Sequence, residues 1–306
     1  MALSGRMEAG GDLVELRVLQ YFLAVAREQS ISAAAESLHL SQPALSTQLK
    51  ALETELGKQL LIRGTKGSRK VLLTDEGMIL RKRAEEILTL VHKTEAEIAC
   101  SDEAIVGEVS IGSGETDIVR LFARAAQALR RQHPDIRYRI SSGNAEFVLE
   151  NLDKGLIDFG LLFGTVDQRK YDALLLPARD NWGVLMRRDA PLAQKDAVRP
   201  EDLWDKPLIV SHQRGDDNYL SRWLKRELSH LNVVATYNLV FNASLLVEEG
   251  LGYALCLDKL INTQGGALCF KPFDPPLEAP AYLVWKKYQV FSKPASAFLQ
   301  RLREML

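Results

Sequence analysis

The stretch Ser30–Glu53, SISAAAESLHLSQPALSTQLKALE, decides the fold of the first part of the chain. Its run of three alanines predicts a compact first helix whose small side chains let another helix approach closely. Ser41 can cap a second helix with its hydroxyl, and Pro43 suits that helix's first turn, where a missing N–H removes no intrahelical bond. The stretch therefore predicts a helix-turn-helix, with the second helix starting near Gln42.

The second helix has one apolar and one polar side. Leu45, Leu49 and Leu52 fall at spacings of four and three and mark the buried side. The other side is short and polar, and it can hydrogen-bond base edges and phosphates. The residues expected to contact DNA are Ser32 in the first helix and, on this face, Gln42, Pro43, Ser46, Thr47 and Lys50. A helical hairpin with an ordinary polar surface is the alternative.

A cluster of cations follows the second helix. No acidic residue occurs between Glu55 and Asp75, whereas five basic residues do: Lys58, Arg63, Lys66, Arg69 and Lys70. Two glycines inside the run and the strand-like segment 70–73 predict a small hairpin with cations at its tip. A solvated charge run is the alternative. Beside a recognition-type helix the run favours a wing, with Arg63, Lys66 and Arg69 contacting phosphates or a minor groove.

A long helix is predicted next. Thr74 can cap it, and Asp75 and Glu76 place negative charge in its first turn. Apolar positions then alternate spacings of four and three, the pattern of a coiled-coil seam, and this favours a dimer interface. The seam positions are Leu80, Ala84, Ile87, Val91 and Ile98, with Thr94 between the last two. The same stripe could instead lie on its own domain.

From Gly107 onward, strand-like and helix-like segments alternate as β-α-β-α-β, which predicts a parallel sheet with right-handed crossovers. A second such unit begins near Ala173, and a final strand and helix return to the first. The fold class is therefore α/β, with two lobes and a cleft between them. The predicted bounds are a disordered extension at 1–12, a winged helix-turn-helix at 13–73, a linker helix at 74–104 and a two-lobed domain at 105–306. The first lobe is expected at about 105–164 and 267–306, and the second at about 165–266.

Polar side chains follow several of the predicted strands. In parallel sheets, ligands lie beyond the carboxyl ends of strands, where helix N-termini present free N–H groups. The candidate ligand contacts are Ser113, Glu115, Thr116, Ser142, Asn144, Phe163, His212 and Asn242. Taken singly, each is explained equally well by capping or surface polarity. As a set they favour a small polar metabolite, with an anion moderately favoured over a zwitterion or amine, although Glu115 would repel an anion if it pointed inward.

Composition and motifs argue against other classes of function. The 39 basic and 40 acidic residues give no global basic signal, so any DNA affinity must be local. Cys100, Cys256 and Cys269 lack metal-ligand spacing and are expected to be buried small apolar residues. The five histidines are scattered, and the segment 112–114 is neither a phosphate-binding loop nor a nucleophile elbow. No catalytic residue, metal or cofactor is expected. With no signal peptide and no apolar run near 20 residues, the expected location is cytoplasmic and off the membrane.

Residues from about Leu13 to Ile87 resemble the N-terminal region of LysR-type transcriptional regulators. The carrying motifs are LQYFLAVAREQSISAAAESLHLSQPALSTQLKALETELGKQLLIR and LTDEGMILRKRAEEIL. Leu61 departs from the phenylalanine that the family pattern has near Arg63. The second half resembles the family's effector domain, itself similar to periplasmic solute-binding proteins, in its pattern of elements and at 133–134, 191–193 and 250–252.

The resemblance implies a transcription regulator that binds double-stranded DNA and responds to a small-molecule effector. It also implies antiparallel pairing of linker helices in a homodimer or homotetramer, and RNA polymerase as a partner if the protein activates. Two other classes compete. A solute-binding protein predicts an export signal and leaves the first hundred residues unexplained. A hydrolase or transferase on an α/β fold requires an activated nucleophile, and His212 is the one candidate base near the cleft.

Overall fold

The computed structural model describes residues 14–64, 70–99, 105–212 and 219–306 of the chain. Contacts divide the chain into two units, residues 1–98 and 99–306. The predicted extension 1–12 lies outside the described residues, as do Cys100 and the wing cations Lys66 and Arg69. Among the described residues no helix is long and apolar enough to cross a membrane.

The first unit is a winged helix followed by a long helix. Its elements are α1 (Leu16–Glu28), α2 (Ile31–Ser37), α3 (Gln42–Glu55), β1 (Leu61–Arg63), β2 (Val71–Leu73) and α4 (Asp75–Ala99). The Ser30 hydroxyl accepts a hydrogen bond from the Ala33 N–H at the start of α2, and Ser41 does the same for Ala44 in α3. The second helix of the helix-turn-helix therefore begins at Gln42, where its capping residue Ser41 predicts.

The core of the winged helix forms between α1, α2, α3 and the two strands. Phe22 of α1 is fully buried, and the predicted apolar side of α3 is buried with it: Leu45, Leu49 and Leu52. The strands pair antiparallel, with Leu61 opposite Leu73. Leu61 is buried in the same core, so an aliphatic side chain fills the position where the family pattern has an aromatic ring.

Helix α4 carries two apolar stripes, and only one of them is exposed. Thr74 caps the helix as predicted, accepting the Gly77 N–H at 3.0 Å. Ala84 is fully buried and packs with Leu88 against Leu19 of α1, and Leu80 lies partly buried beside them. This corrects the predicted seam, because Leu80 and Ala84 pack within their own domain. The exposed apolar residues of α4 are Met78, Ile79, Ile87, Leu90 and Ile98.

The second unit alternates strands and helices as predicted. Its strands are β3 (Gly107–Ser113), β4 (Ile136–Ser142), β5 (Phe159–Phe163), β6 (Tyr171–Arg187), β7 (Leu208–Ser211), β8 (Val233–Tyr237), β9 (Tyr253–Leu257), β10 (Leu268–Pro272) and β11 (Glu278–Lys286). Its helices are α5 (Val119–Gln132), α6 (Ala145–Asp153), α7 (Tyr219–Leu224), α8 (Val240–Glu248) and α9 (Lys293–Glu304).

The strands run in the order β4-β3-β5-β11-β6-β9-β7-β8, with β10 also paired to β6. In the first lobe β3 is parallel to both β4 and β5, and in the second lobe β7 is parallel to β8 and β9. Two long antiparallel strands, β6 and β11, pass between the lobes. A βαβ crossover thus builds each lobe, while the two crossing strands join them.

The crossings place the lobe bounds later in the chain than the sequence suggested. The first half of β6, from Tyr171, pairs with β11 in the first lobe, whereas Trp182–Leu185 pairs with β9 in the second. Strand β10 pairs with β6 and packs in the second lobe, through Leu268 and Cys269. Because β6 and β11 are each continuous through the crossing, the lobe boundary falls inside a strand, where no loop signal marks it.

Candidate functional site

The polar side of α3 is available for contact. Gln42, Pro43, Thr47 and Lys50 are exposed and Ser46 is half-buried, while the opposite leucines hold the helix in the core. Ser32 is also exposed, in the first turn of α2. The Thr47 hydroxyl donates to the Pro43 carbonyl at 2.9 Å, which leaves its oxygen as an acceptor toward solvent. Gln42, Thr47 and Lys50 therefore present polar groups on the exposed side of α3.

The wing is fastened to α3 by one carboxylate. Glu53 Oε1 accepts the Leu60 N–H at 2.9 Å and the Leu61 N–H at 3.0 Å. Its Oε2 pairs with Arg63 Nη2 at 3.2 Å, and only a third of the Arg63 side chain is exposed. The Arg63 guanidinium therefore has a carboxylate partner within the chain, and its contact with phosphates stays a prediction. Sequence patterns did not single out Glu53, because an acid near the end of a helix is ordinarily a solvated one.

In the second unit, the carboxyl ends of the parallel strands of both lobes face each other. Ser113 at the end of β3 lies beside Ser142 at the end of β4. In the second lobe, β7 and β8 end together at Ser211 and Tyr237. Glu115, in the turn after β3, reaches the first residue of α8, in the turn after β8, and its carboxylate accepts the Val240 N–H at 2.5 Å.

Several predicted ligand contacts already have partners within the chain. The buried Ser113 hydroxyl donates to the Gly114 carbonyl at 2.7 Å. The Thr116 hydroxyl donates to Asp180 at 2.5 Å, with both side chains buried. Asn144 caps α6 by accepting the Phe147 N–H at 2.9 Å. The polar groups of these residues therefore have partners in the fold, and their contact with a ligand stays a prediction.

The remaining candidates differ in exposure. Ser142, His212 and Asn242 are exposed. Phe163 is half-buried and packs against the core of the first lobe. Of the residues near His212, Arg214 lies outside the described part of the chain. Exposed polar side chains thus remain on both lobes. Ser113, Glu115, Thr116 and Asn144, in contrast, already hydrogen-bond to other groups of the chain.

Asp180 is a buried acid that sequence patterns missed. It lies on β6 opposite Ala279 of β11, where the strands cross between the lobes. Burial raises its pKa, the hydrogen bond from Thr116 lowers it, and the neighbouring Asp117 and Asp258 carboxylates add to the rise. The available signal was a charged residue inside a long strand run, LLLPARDNWGVL.

The cysteines and histidines of the described residues form no chemical centre. Cys256 and Cys269 are free and buried, and burial raises the pKa of the Cys256 thiol to about 12. An inert thiol of this kind behaves as a small apolar side chain. No group of three potential metal ligands occurs in the ranges that the structure describes.

A winged helix with an exposed polar recognition surface, followed by a two-lobed domain with facing strand ends, defines a DNA-binding regulator with a ligand-sensing domain. Residues 16–78 match the family described as bacterial regulatory helix-turn-helix protein, lysR family, and residues 102–306 match the LysR substrate binding domain. The chain belongs to the LysR family of transcription regulators. It is a DNA-binding regulator and not an enzyme, and its C-terminal domain binds a small-molecule effector.

Relatives and solved structures match most of the chain. An uncharacterized HTH-type transcriptional regulator, YfeR of Shigella flexneri, is 28% identical over 94% of this chain and 93% of its own. BsdA of Bacillus subtilis, an HTH-type transcriptional regulator, is 34% identical over 64% of this chain and 67% of its own. Full-length CbnR, solved with its target DNA, shares the fold with a TM-score of 0.75 at 20% identity, covering 95% of this chain and all of that one. Full-length BenM is 26% identical with a TM-score of 0.55, covering 95% and 96% of the two chains.

Proposed function

We propose that this regulator reads its DNA site with the exposed face of α3 in the major groove and neutralises phosphates with its wing. The observation that carries the proposal is the division of α3. Three leucines anchor one side while Gln42, Thr47 and Lys50 are exposed on the other. Amide and hydroxyl groups on such a face discriminate base edges, whereas wing cations contribute affinity without sequence preference.

Replacing Gln42 by Ala is expected to relax sequence preference. Removing a bidentate pair of hydrogen bonds to a base costs about 1–3 kcal/mol at one position of the site. The measurement is selection and sequencing of the DNA fragments that the purified wild-type and variant proteins retain. Gln48→Ala is the matched control, because Gln48 is an exposed glutamine on the same helix, away from the polar face.

Loss of a wing cation is expected to affect DNA binding differently from loss of Gln42. Lys66→Ala is expected to weaken binding to all sequences similarly and to reduce the salt slope by about one for each phosphate that the protein no longer neutralises. Equal relaxation of preference in Gln42→Ala and Gln48→Ala would remove α3 from base reading. An unchanged salt slope in Lys66→Ala would show that this cation does not neutralise a phosphate.

We infer that the protein works as a homo-oligomer with two kinds of contact. The first is the exposed stripe of α4, where Ile79, Ile87 and Ile98 would pack against the same helix of a second copy. An antiparallel pair would carry two winged helices to a two-fold DNA site. Val91 is half-buried at the edge of this stripe and belongs to the same seam.

The second contact joins the C-terminal domains of different dimers. A groove of about 590 Å³ lies on the first lobe, lined by apolar residues of α5 and β4 such as Val119, Ala126 and Ile140, with Arg130 and Arg131 also in its lining. Helix α8 offers a complementary surface. Phe241 and Leu245 are exposed on α8, and Glu248 and Glu249 lie at its C-terminal end. Apolar and charged groups match between the two surfaces, which supports a tetramer built from two dimers.

Phe241→Asp is expected to reduce the tetramer to a dimer, because it places a carboxylate in an apolar contact. Sedimentation measures the change. Tyr288→Asp is the control, since Tyr288 is an exposed aromatic side chain on the loop after β11. If both variants sedimented like the wild type, α8 would not be the second contact.

We further infer that the effector is a small polar metabolite held between the lobes, near the exposed Ser142, His212 and Asn242. Binding there would favour one arrangement of the lobes and so change the spacing of the paired winged helices. DNA binding implies that the protein works in the cytoplasm, with RNA polymerase as an additional partner if it activates. A thermal-shift screen of metabolites on the full chain, repeated with Ser142→Ala and Asn242→Ala, tests the location. Undiminished binding to both variants would exclude it.

A further inference from the structure

Helix α8 receives its N-terminal cap from the opposite lobe. Its own N-cap residue, Leu239, makes no side-chain hydrogen bond to the helix. The Glu115 carboxylate of the first lobe instead accepts the Val240 N–H at 2.5 Å. Unpaired N–H groups and the positive end of the helix dipole make a helix N-terminus attractive to an anion. Here the anion is a side chain of the same protein.

The neighbouring residue fastens the same turn to the crossing strands. Thr116 donates to Asp180 on β6 at 2.5 Å and accepts the Ile118 N–H at 3.0 Å. Asp180 pairs in register with Ala279 of β11, the other crossing strand. The turn 114–118 therefore contacts the second lobe through one side chain and the crossing strands through the next.

In the described residues β6 and β11 join the two lobes, and a charged hydrogen bond between the lobes biases their relative position. A change in lobe angle that moved α8 away from the turn would leave the Glu115 carboxylate without the Val240 N–H. A hydrogen bond that is made in one arrangement and lost in another would supply the differential interaction that a two-state element requires.

We propose that Glu115 is an interlobe latch: its carboxylate caps α8 across the cleft and holds the two lobes in the arrangement that the structure shows. The latch rests on the proposed function, in which the cleft is where the effector acts. It assigns Glu115 a role in that function, because release of its carboxylate from α8 accompanies the response to effector. Glu115 is thus a positioning residue, and an effector that separates its carboxylate from α8 shifts the regulator to its other state.

Amide hydrogen exchange of the full-length protein measures the latch directly, because the Val240 amide is bonded to Glu115 and not to its own helix. In Glu115→Ala, exchange at Val240 is expected to accelerate at least tenfold, together with the segment 179–182 at the crossing. Glu115→Gln retains an acceptor oxygen and is expected to show a smaller rise. Glu146→Ala is the matched control, since Glu146 is an exposed acid in the first turn of α6 within one lobe.

Chemical rescue separates a latch from general destabilisation. Adding acetate to Glu115→Ala should slow exchange at Val240 again, because a free carboxylate can take the vacated position, whereas chloride at equal ionic strength should do less. Exchange at Val240 equal to that of Glu146→Ala would overturn the latch. So would a uniform acceleration through the strands of both lobes that acetate leaves unchanged. These readouts involve no DNA or effector, so a failure of the proposed function would leave them intact and distinguishable.

Discussion

Ile87→Asp is expected to break the α4 seam, so that the proposed tetramer falls to the dimer held by the second contact, and to remove tight binding to a two-fold DNA site. Ile87 lies in the middle of α4 on the exposed stripe, with 41% of its surface accessible in the single chain. In a two-fold seam the change buries two unpaired carboxylates, and each costs about 3–5 kcal/mol. Because 1.4 kcal/mol is tenfold in an equilibrium constant, even one such cost weakens the dimer by more than about 100-fold.

Sedimentation of the variant across a range of concentrations tests the expected loss of mass, and titration of a two-fold site tests the loss of affinity. His92→Asp is the control, since His92 is an exposed residue of α4 on a different face from Ile87. The wild-type mass in Ile87→Asp would take this stripe out of the interface. Dissociation of both variants alike would indicate damage to the helix instead.

Glu53→Ala is expected to destabilise the winged helix and to misplace the wing. The carboxylate accepts hydrogen bonds from the Leu60 and Leu61 N–H groups and pairs with Arg63. Leaving a buried donor unsatisfied costs about 1–3 kcal/mol, so the loss of both amide partners should lower the free energy of unfolding by about 3 kcal/mol. Arg63 loses its partner at the same time, and the wing loses its tie to α3.

Urea unfolding and DNA titration measure the two consequences, and both are expected to be large. DNA affinity should fall for every sequence, because the wing positions phosphate contacts and not base contacts. Glu55→Ala, two residues further along at an exposed position, should leave both quantities unchanged. Glu53→Gln, which keeps an acceptor but loses the ion pair, should lie between. If Glu53→Ala and Glu55→Ala behaved alike, the three interactions of Glu53 would contribute nothing measurable.

Local sequence patterns predicted the structure correctly where a single chemical preference determines it. Ser41 and Thr74 cap the two helices that they were expected to cap. The spacing of Leu45, Leu49 and Leu52 identified the buried side of α3, and the alternation of segments identified parallel strands in both lobes. These features depend on neighbours within one or two turns or on strand order, and both can be read along the chain.

Sequence patterns failed where residues of one type lie on both a buried and an exposed surface. The apolar spacing of α4 combined a buried stripe and an exposed stripe into one predicted seam. Packing against Leu19 of α1 is what distinguishes the buried Ala84 from the exposed Ile87. The run of cations gave no sign that Arg63 pairs with Glu53. The periodicity of a helix reports which residues are apolar, but the partner that covers each one comes from another part of the chain.

By itself the sequence determined the class of this protein: a helix-turn-helix with a polar recognition face, a long helix after it, and a two-lobed α/β domain. Only the tertiary structure decided which polar groups at the cleft remain available. Glu115 bonds to Val240 and Thr116 to Asp180, across separations that no local pattern spans. The physical reason is that a buried donor or acceptor must find a partner, and in a folded chain that partner is set by which strands and turns meet.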